Sequence, residues 1–234
     1  MDPIGQAIYN FHFHHDPEFL RVDTNYTEDE EIDPAAFFRS LGEMSALEQA
    51  AIGLCRGHVL DVGAGAGCHA LELQDRQMDI VALEKSELAI QVMKDRGVLH
   101  PVLGDIYHYQ GETFDTILLL MNGIGIAGTL EGYGRLLDHL KGLLAPGGQI
   151  LFDSSDIAYL FEEEDGSQWI DLANDRYYGE MDYTVTYKEK ITTTFPWLYL
   201  DRETLEKIAE ENGYVTEFPA EGDDNNFLAR LTRV

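Results

Sequence analysis

The chain has 234 residues, and its 44% hydrophobic content is enough to bury the core of one α/β domain. Its 16 Lys and Arg residues against 43 Asp and Glu residues give a formal charge of −27. This charge repels the phosphates of nucleic acids and anionic membrane surfaces, so we expect neither as a partner. We interpret the excess of acidic residues as surface solubility rather than as a docking face.

Two further features predict a cytoplasmic protein. Cys55 and Cys68 are too few and too isolated for a disulfide framework or a zinc site, which favours a reducing compartment. The first 15 residues lack a basic segment followed by an apolar run, and no window approaches about 18 apolar residues. We therefore expect neither a secretory signal nor a membrane span.

Residues 1–33 are predicted to be polar and irregular, forming a mobile lid or a packed flap. Their histidines, together with one aspartate, suggest a metal cluster, but they alternate with phenylalanines and match no recognised ligand spacing, so we expect no metal. These residues are His12, His14, His15 and Asp16.

Two helices are predicted before the first central strand, and we expect them to wall a site. Asp33 is placed to cap a helix that has Pro34 at its first position. Ser45 and Glu48 form a capping box at the start of the second helix.

Residues 58–73 read as a strand, a glycine turn and a helix. Asp61, at the end of the strand, would repel a pyrophosphate, but it can accept hydrogen bonds from an ammonium or sulfonium ligand. The spacing from Gly65 to Ala70 also fits the dinucleotide pattern G-x-G-x-x-G/A, and a carboxylate that only ties the loop together is the alternative without a ligand. The turn itself contains three alternating glycines, Gly63, Gly65 and Gly67.

A second strand over residues 79–83 stops at Glu84, 17 residues after Gly67. A nucleotide-binding fold places a carboxylate on the ribose hydroxyls at about this distance, and an unpaired surface glutamate is the alternative. Ser86 then caps the next helix.

The following strands are predicted to deliver more polar residues to one edge of a parallel sheet. These strands cover residues 98–103, 114–121 and 149–152, and they lead into Asp105, Asn122 and the turn 153–156, with a helix over residues 130–144 between the last two. A hairpin over residues 181–188 and 191–197, a helix capped by Asp201, and strands over 214–218 and 226–231 complete the chain.

Aromatic residues concentrate around the predicted hairpin. They can line the floor or the roof of an acceptor pocket, although we expect most of them to pack the core of the hairpin itself. They are Trp169, Tyr177, Tyr178, Tyr183, Phe195 and Trp197.

Five segments, LDVGAGAG, ALEKSE, GDI, FDTILLLMNGIG and LLAPGGQIL, occur in an order and spacing that resemble the S-adenosylmethionine-dependent methyltransferases of the Rossmann-like class. The resemblance covers residues 55–155. It implies an α/β fold with a seven-stranded, mostly parallel sheet, an antiparallel last strand and helices on both faces, to which this chain adds the antiparallel β-hairpin.

The resemblance also implies the cofactor and its contacts. Asp61 and the three glycines Gly63, Gly65 and Gly67 would hold the methionine part of S-adenosyl-L-methionine; Glu84, with Lys85 beside it, would take the ribose hydroxyls; Asp105 and Ile106 would contact adenine; and Asn122 would lie beside the methyl group. We expect one domain, with a cap at 1–54, a cofactor core at 55–155, the hairpin at 165–200 and a C-terminal unit at 201–234.

The methyl acceptor is left open by the sequence. Family members that methylate amino groups often carry Asn or Asp, two prolines and an aromatic residue after the fourth strand, whereas this chain has Met121-Asn122-Gly123-Ile124. The charge favours a small-molecule acceptor. In-line methyl transfer needs alignment more than a dedicated base, and no catalytic residue is selected among the titratable candidates His69, Tyr107, His108, Asp153 and Asp156.

Two other functions share parts of this pattern. A nicotinamide-dependent oxidoreductase also has an acid after the second strand, but it would fit G-x-G-x-x-G without Asp61 ahead of it. A cofactor-binding regulator without catalysis would share every cofactor residue. For the enzyme, we expect the acceptor to enter between the Asn122 loop, the 153–156 turn and the hairpin, with residues 1–33 closing above it.

Overall fold

The computed structural model describes residues 1–161, 176–223 and 225–234. Its helices are α1 (Pro3–His14), α2 (Ala46–Leu54), α3 (Cys68–Asp75), α4 (Glu87–Asp95), α5 (Leu130–Leu143) and α6 (Arg202–Glu211). Its strands are β1 (Leu20–Asp23), β2 (Glu30–Ile32), β3 (His58–Val62), β4 (Asp79–Glu84), β5 (Pro101–Leu103), β6 (Phe114–Leu119), β7 (Leu144–Ser155), β8 (Glu180–Tyr187), β9 (Ile191–Leu198), β10 (Tyr214–Glu221) and β11 (Asn226–Arg233).

Seven strands form the central sheet in the order β10-β11-β7-β6-β3-β4-β5. The strands from β3 to β7 pair in parallel, whereas β11 runs antiparallel to β7 and β10 runs antiparallel to β11. One apolar layer packs α5 and α6 against one face of the sheet, and a second packs α2, α3 and α4 against the other. The predicted fold, including the antiparallel last strand, is confirmed. The chain leaves β3 for β4 on one side and returns to β6 on the other, so the switch point of the sheet lies at β3.

The prediction that residues 1–33 are irregular is wrong, because this segment contains α1, β1 and β2. Asp2 caps α1 by accepting a hydrogen bond from the amide of Gly5 at 2.8 Å, with Pro3 in the first turn. Ala7 and Ile8 are fully buried on one side of this helix. Polar and aromatic residues alternate in the second half of this helix, so only its burial against the rest of the chain shows that the segment is ordered.

The N-terminal strands also change the setting of the hairpin. β1 pairs antiparallel with both β2 and β8, which gives a second sheet in the order β2-β1-β8-β9. The predicted hairpin is therefore the C-terminal half of a four-stranded sheet. Pairing between segments about 160 residues apart leaves no local signal in the sequence.

Two local predictions differ in extent from the structure. The helix predicted after Asp33 is a single 3₁₀ turn over Pro34–Phe37, although Asp33 does cap it, whereas the Ser45 capping box begins α2 as predicted. The third parallel strand is shorter than predicted because Val98 donates to the carbonyl of Met93 and closes α4. The acidic loop 162–166, Trp169 and Asp224 lie outside the described residues.

In the part of the chain that the structure describes, no helix is both long and apolar enough to cross a membrane.

Gly67 tests how closely the glycine turn packs on its surroundings. Its φ is +82°, and a Cβ there would lie 2.7 Å from Cγ2 of Val98. We expect Gly67→Ala to lower the free energy of unfolding by about 2 to 4 kcal/mol, through strain and overpacking.

Gly142→Ala is the matched control, because a Cβ at this exposed helical glycine meets nothing within 4 Å. This variant should be unchanged or about 0.5 to 1 kcal/mol more stable in urea unfolding. Equal effects at the two positions would contradict the prediction.

Candidate functional site

The polar residues of the candidate site lie where neighbouring parallel strands end. Asp61 pairs with Ala82 of β4 on one side and with Leu118 of β6 on the other. Glu84 ends β4 and Asn122 follows β6, so both lie at the same edge of the sheet as Asp61. β7 lies beside β6 and brings Asp153 to that edge. This is the carboxyl edge, where open α/β sheets bind ligands.

Glu84 ties the glycine turn to the start of the next helix. One of its carboxylate oxygens accepts a hydrogen bond from the amide of Gly65 at 2.9 Å, and the other accepts from the amide of Ser86 at 2.9 Å. Gly63, Gly65 and Gly67 all have positive φ. No atom lies within 4 Å of the place that a Cβ would take at Gly63. The turn therefore exposes a bare stretch of backbone, which a ligand can approach closely.

Asp61 is buried beneath this turn with one carboxylate oxygen unsatisfied. The residue is only 1% exposed, and its Oδ2 atom has no hydrogen-bond partner among the residues that the structure describes. Burial raises the pKa of Asp61 to about 6, and the charge of Glu84 acts in the same direction while that of His69 opposes it. A buried carboxylate oxygen without a donor is costly, and a cationic ligand that donates to it would remove that cost.

A second buried charge cluster supports the turn from behind. The Arg39 guanidinium donates to both oxygens of Glu48, at 2.9 and 2.6 Å, and Nε2 of His69 lies 2.9 Å from Glu48 Oε1. Although burial opposes it, the bonds from His69 and from the Ser45 amide hold the pKa of Glu48 at about 2. The pKa of His69 is raised well above its usual value despite burial, because the Cys68 side chain and Glu48 favour the charged ring.

This cluster accounts for one of the titratable candidates. His69 lies behind the glycine turn and is engaged by Glu48. The sequence showed Glu48 only as a capping residue, and its pairing with Arg39 was missed because the two residues lie in different elements. Arg39 thereby connects the N-terminal segment to the back of the turn.

The predicted adenine end is assembled beside Glu84. The amide of Gly104 donates to the carbonyl of Glu84 at 2.9 Å, which draws the end of β5 towards that residue. Asp105 is exposed and caps the 3₁₀ turn Ile106–His108 by accepting from the amide of Tyr107 at 2.9 Å, whereas Ile106 is buried. The candidates Tyr107 and His108 therefore lie at this end of the site. Lys85 is exposed, and its Nζ atom lies 5.9 Å from the centre of the Phe195 ring.

Asn122 and Asp153 form the other end. The amide of Asn122 donates to Asp153 Oδ2 at 2.9 Å, and its side-chain Nδ2 donates to the carbonyl of Leu198 at 3.2 Å. Asn122 Oδ1 and Asp153 Oδ1 are both buried, and neither has a hydrogen-bond partner within residues 1–161, 176–223 and 225–234. Burial raises the pKa of Asp153 to about 6, although the bond from Asn122 acts against this shift. Met121 and Asn122 both have positive φ, so this loop is held in a strained conformation.

The hairpin lies over the Asn122 loop. A Cβ at Gly125 would be 2.2 Å from Cε2 of Trp197, so only glycine permits this contact. The hydroxyls of Tyr183 and Tyr199 lie 2.6 Å apart, and Tyr178 donates to Asp156 Oδ1 at 2.8 Å. Tyr199 has no local signal in the sequence, and only this pairing places it in the candidate site.

The N-terminal helix closes the same region from the side of the glycine turn. α1 packs against α4 and β8. Phe37 and Ile8 come within 3.4 and 3.9 Å of the position of a Cβ at Gly65. His12 contributes to this packing, because its Nε2 atom lies 2.7 Å from Oδ2 of Asp95 on α4. The N-terminal helix therefore lies beside the glycine turn on its carboxyl-edge side.

Comparisons with known proteins agree with this geometry. A family model described as a methyltransferase domain matches residues 44–217. A SAM-dependent methyltransferase from Bacteroides fragilis, solved in complex with S-adenosyl-L-homocysteine, is 42% identical over 100% of this chain and 95% of its own, with a TM-score of 0.93. No protein with a curated function matches the chain.

More distant structures share the fold. DesVI from Streptomyces venezuelae is 19% identical over 81% of this chain and 91% of its own, with a TM-score of 0.56. The sugar N-methyltransferase KedS8 from a Streptoalloteichus species is 16% identical over 87% and 94%, with a TM-score of 0.57.

The raised pKa of Asp61 predicts how its replacement changes stability. Because burial raises the pKa from its usual value of 3.8 to about 6, the folded state holds this proton more tightly than the unfolded chain. The free energy of unfolding therefore falls as the pH rises from about 4 to about 6, and stays lower above that. We expect Asp61→Asn to raise this free energy by about 1 to 3 kcal/mol at pH 7.5 in the ligand-free protein, and by less near pH 4.

Urea unfolding at the two pH values measures this difference. Asp138→Asn is the control, because Asp138 is an exposed carboxylate on α5 that lies 3.9 Å from Lys141. Its free energy of unfolding should change by less than about 0.5 kcal/mol at either pH. A gain for Asp61→Asn that is the same at both pH values would contradict the assigned titration.

Proposed function

The chain belongs to the S-adenosylmethionine-dependent methyltransferases, and from this premise we propose that it transfers the methyl group of S-adenosyl-L-methionine to a small-molecule acceptor. Membership of this family decides against the nicotinamide-dependent oxidoreductase and against a regulator without catalysis. The observation that carries the proposal is the unsatisfied buried oxygen of Asp61 beneath the glycine turn. This oxygen accepts hydrogen bonds, so it suits a ligand that carries an ammonium group, as the methionine part of S-adenosyl-L-methionine does.

We assign the donor site to the residues at the switch point of the sheet. Asp61 and the glycine turn would hold the methionine part, where the exposed backbone at Gly63 and the free oxygen of Asp61 support this role. Glu84 would bind the ribose hydroxyls, because each of its oxygens accepts one amide bond and retains a second lone pair.

The adenine and the reacting methyl group would lie to either side of the ribose. We assign Asp105 and Ile106 to adenine, since one is an exposed acceptor and the other is a buried apolar residue next to it. Lys85 would lie at the rim beside Glu84. Asn122 would lie beside the methyl group, because its loop separates the donor residues from the hairpin.

The chemistry asks little of the protein beyond alignment. The sulfonium supplies an activated methyl group, and the residues around it hold the acceptor in line and exclude water. The 3₁₀ turn Gly123–Ala127, fixed under Trp197, and the buried link from Asn122 to Leu198 support a rigid floor for that alignment. We propose that the acceptor enters between this floor, the turn after Asp153 and the hairpin.

A cytoplasmic location and the division of the chain also remain our proposals. The two free, buried cysteines, Cys55 and Cys68, support a reducing compartment. We propose one domain in which residues 1–54 cap the core at 55–155, and residues 201–234 complete its sheet.

Ligand-induced stabilisation tests the donor assignment. S-adenosylhomocysteine and S-adenosylmethionine should raise the Tm by binding the folded state, whereas NAD and NADP should not. Glu84→Ala should weaken S-adenosylhomocysteine by about 1.5 to 3 kcal/mol, through loss of charge-assisted hydrogen bonds. Isothermal titration calorimetry measures the dissociation constant.

Two variants separate binding from folding. Glu84→Gln keeps the side-chain length and should give an intermediate loss, and Glu206→Ala replaces an exposed glutamate on α6 and should bind as the parent protein does. An unchanged dissociation constant in Glu84→Ala would remove this residue from the donor site. Larger stabilisation by NAD than by S-adenosylhomocysteine would overturn the donor itself.

The charge of −27 predicts that the acceptor is not a nucleic acid. At about 150 mM salt, duplex DNA and tRNA should not be retained in an electrophoretic mobility assay, because no phosphate neutralisation offsets the long-range repulsion. Binding that weakens steeply with added salt would contradict this expectation.

A further inference from the structure

Five residues of the Asn122 loop, β7 and the hairpin region lie next to one another, and we call them the acceptor rim. They are Asn122, Asp153, Tyr183, Trp197 and Tyr199. Asn122 holds the carbonyl of Leu198, and the amide of Leu200 donates to the hydroxyl of Ser154 at 2.9 Å. These two bonds fix Tyr199 between the ends of β6 and β7.

Two buried oxygens of the acceptor rim are free to accept hydrogen bonds from a bound ligand. Oδ1 of Asn122 and Oδ1 of Asp153 have no partner, although both atoms are buried. The amide of Asn122 bonds Asp153 Oδ2 at 2.9 Å, so the two residues are held together. A bound group with two or three N–H bonds can satisfy both oxygens, whereas a carboxylate would leave them unpaired and would be repelled by Asp153.

The aromatic rings of the acceptor rim suit a positive charge. The Tyr183 ring lies 6.2 Å from that of Trp197 and 6.4 Å from that of Tyr199. Grouped ring faces attract ammonium groups through their quadrupoles. The same aromatic row already holds one ammonium, because Lys85 Nζ lies 5.9 Å from Phe195, which contacts Trp197.

Carboxylates face the paired hydroxyls of Tyr183 and Tyr199. Burial is the main cause of the raised pKa of both tyrosines, and the negative charge of Glu30 on β2 adds to it in both. Asp153 adds to it at Tyr199. Glu30 and Asp153 therefore place negative charge near these hydroxyls, which favours a cationic substrate.

We propose that the methyl acceptor is an amine, bound as its ammonium form against the aromatic rings and Asp153, and methylated on nitrogen. This assignment rests on the proposed methyltransferase function and names its substrate class. An alcohol would satisfy fewer of the free oxygens. It would also hold its proton far more tightly than an ammonium does, whereas an amine needs to lose only the proton that makes it an ammonium.

The transfer balances with the groups present. Asp153 accepts a proton from the bound ammonium and passes it to solvent, which frees the nitrogen lone pair. That lone pair forms the new bond to the methyl carbon while the carbon–sulfur bond breaks, and the electron pair of the broken bond stays on sulfur. One ammonium and one sulfonium thus become one methylated ammonium, one neutral thioether and one released proton.

The test uses the full chain and sets of acceptors matched in skeleton. Binding of S-adenosylhomocysteine is measured first by calorimetry. The protein is then incubated with methyl-tritiated S-adenosylmethionine and the amine, alcohol and carboxylate of each of the propyl, cyclohexyl and benzyl skeletons. We expect tritium in amine products alone.

Variants then identify the residues that hold the amine. Asp153→Asn keeps an acceptor for the Asn122 amide but removes the charge, and it should lower kcat/KM for the best amine by about tenfold or more. Its affinity for S-adenosylhomocysteine should stay within about threefold of the parent. Glu30→Gln should raise KM by about threefold, as suits a partly screened charge. Glu31→Gln is the matched control, because successive residues of β2 face opposite sides of the sheet.

The outcomes separate the two levels of the proposal. Failure to bind S-adenosylhomocysteine overturns the proposed function and the amine assignment with it. Binding with tritium in an alcohol or carboxylate, or in no amine product, overturns the amine assignment alone. Equal effects of Glu30→Gln and Glu31→Gln, or full activity of Asp153→Asn, overturn the acceptor rim as the place where the amine binds.

Discussion

The parallel register around β3 is the constraint on which the rest of the molecule depends. Asp61 lies between Ala82 of β4 and Leu118 of β6, so the chain segments that follow all three strands emerge at one edge. Within the sheet, backbone groups are used by the ladder, and apolar side chains fill both faces. Polar chemistry is therefore confined to the places where strands stop. Glu84, Asn122 and Asp153 lie at the same edge because the parallel register places the ends of β4, β6 and β7 side by side.

The N-terminal elements convert that open edge into an enclosed one. Arg39 bonds Glu48, which in turn engages His69 behind the glycine turn, so the N-terminal segment is tied to the cofactor core by buried charges. On the other side, β1 extends the hairpin into a four-stranded sheet. The same segment thus contacts both the wall of the donor site and the roof of the acceptor rim, a physical basis for the two sites forming together.

Two buried carboxyl groups lie at the carboxyl edge of the sheet. Asp61 and Asp153 both have pKa values raised to about 6 by burial, and each retains an oxygen without a donor. Such groups are costly in a protein without ligands, and they become favourable when a cation binds beside them. Methyl transfer removes the positive charge from sulfur. For the proposed donor site, this arrangement would favour the positively charged sulfur of S-adenosyl-L-methionine over the uncharged sulfur of its product.

Local sequence determined the elements around the glycine turn, and tertiary structure decided how the N-terminal elements and the hairpin assemble beside them. The caps of three helices and the strands of the central sheet are local patterns, and the structure contains each of these elements. The capping residues are Ser45, Ser86 and Asp201. In contrast, α1, the pairing of β1 with β8, the Arg39–Glu48 bond and the Tyr183–Tyr199 contact join residues that are distant in the chain or only weakly patterned. Such contacts form because burial against the rest of the chain stabilises them, and burial has no signature within a short stretch of sequence.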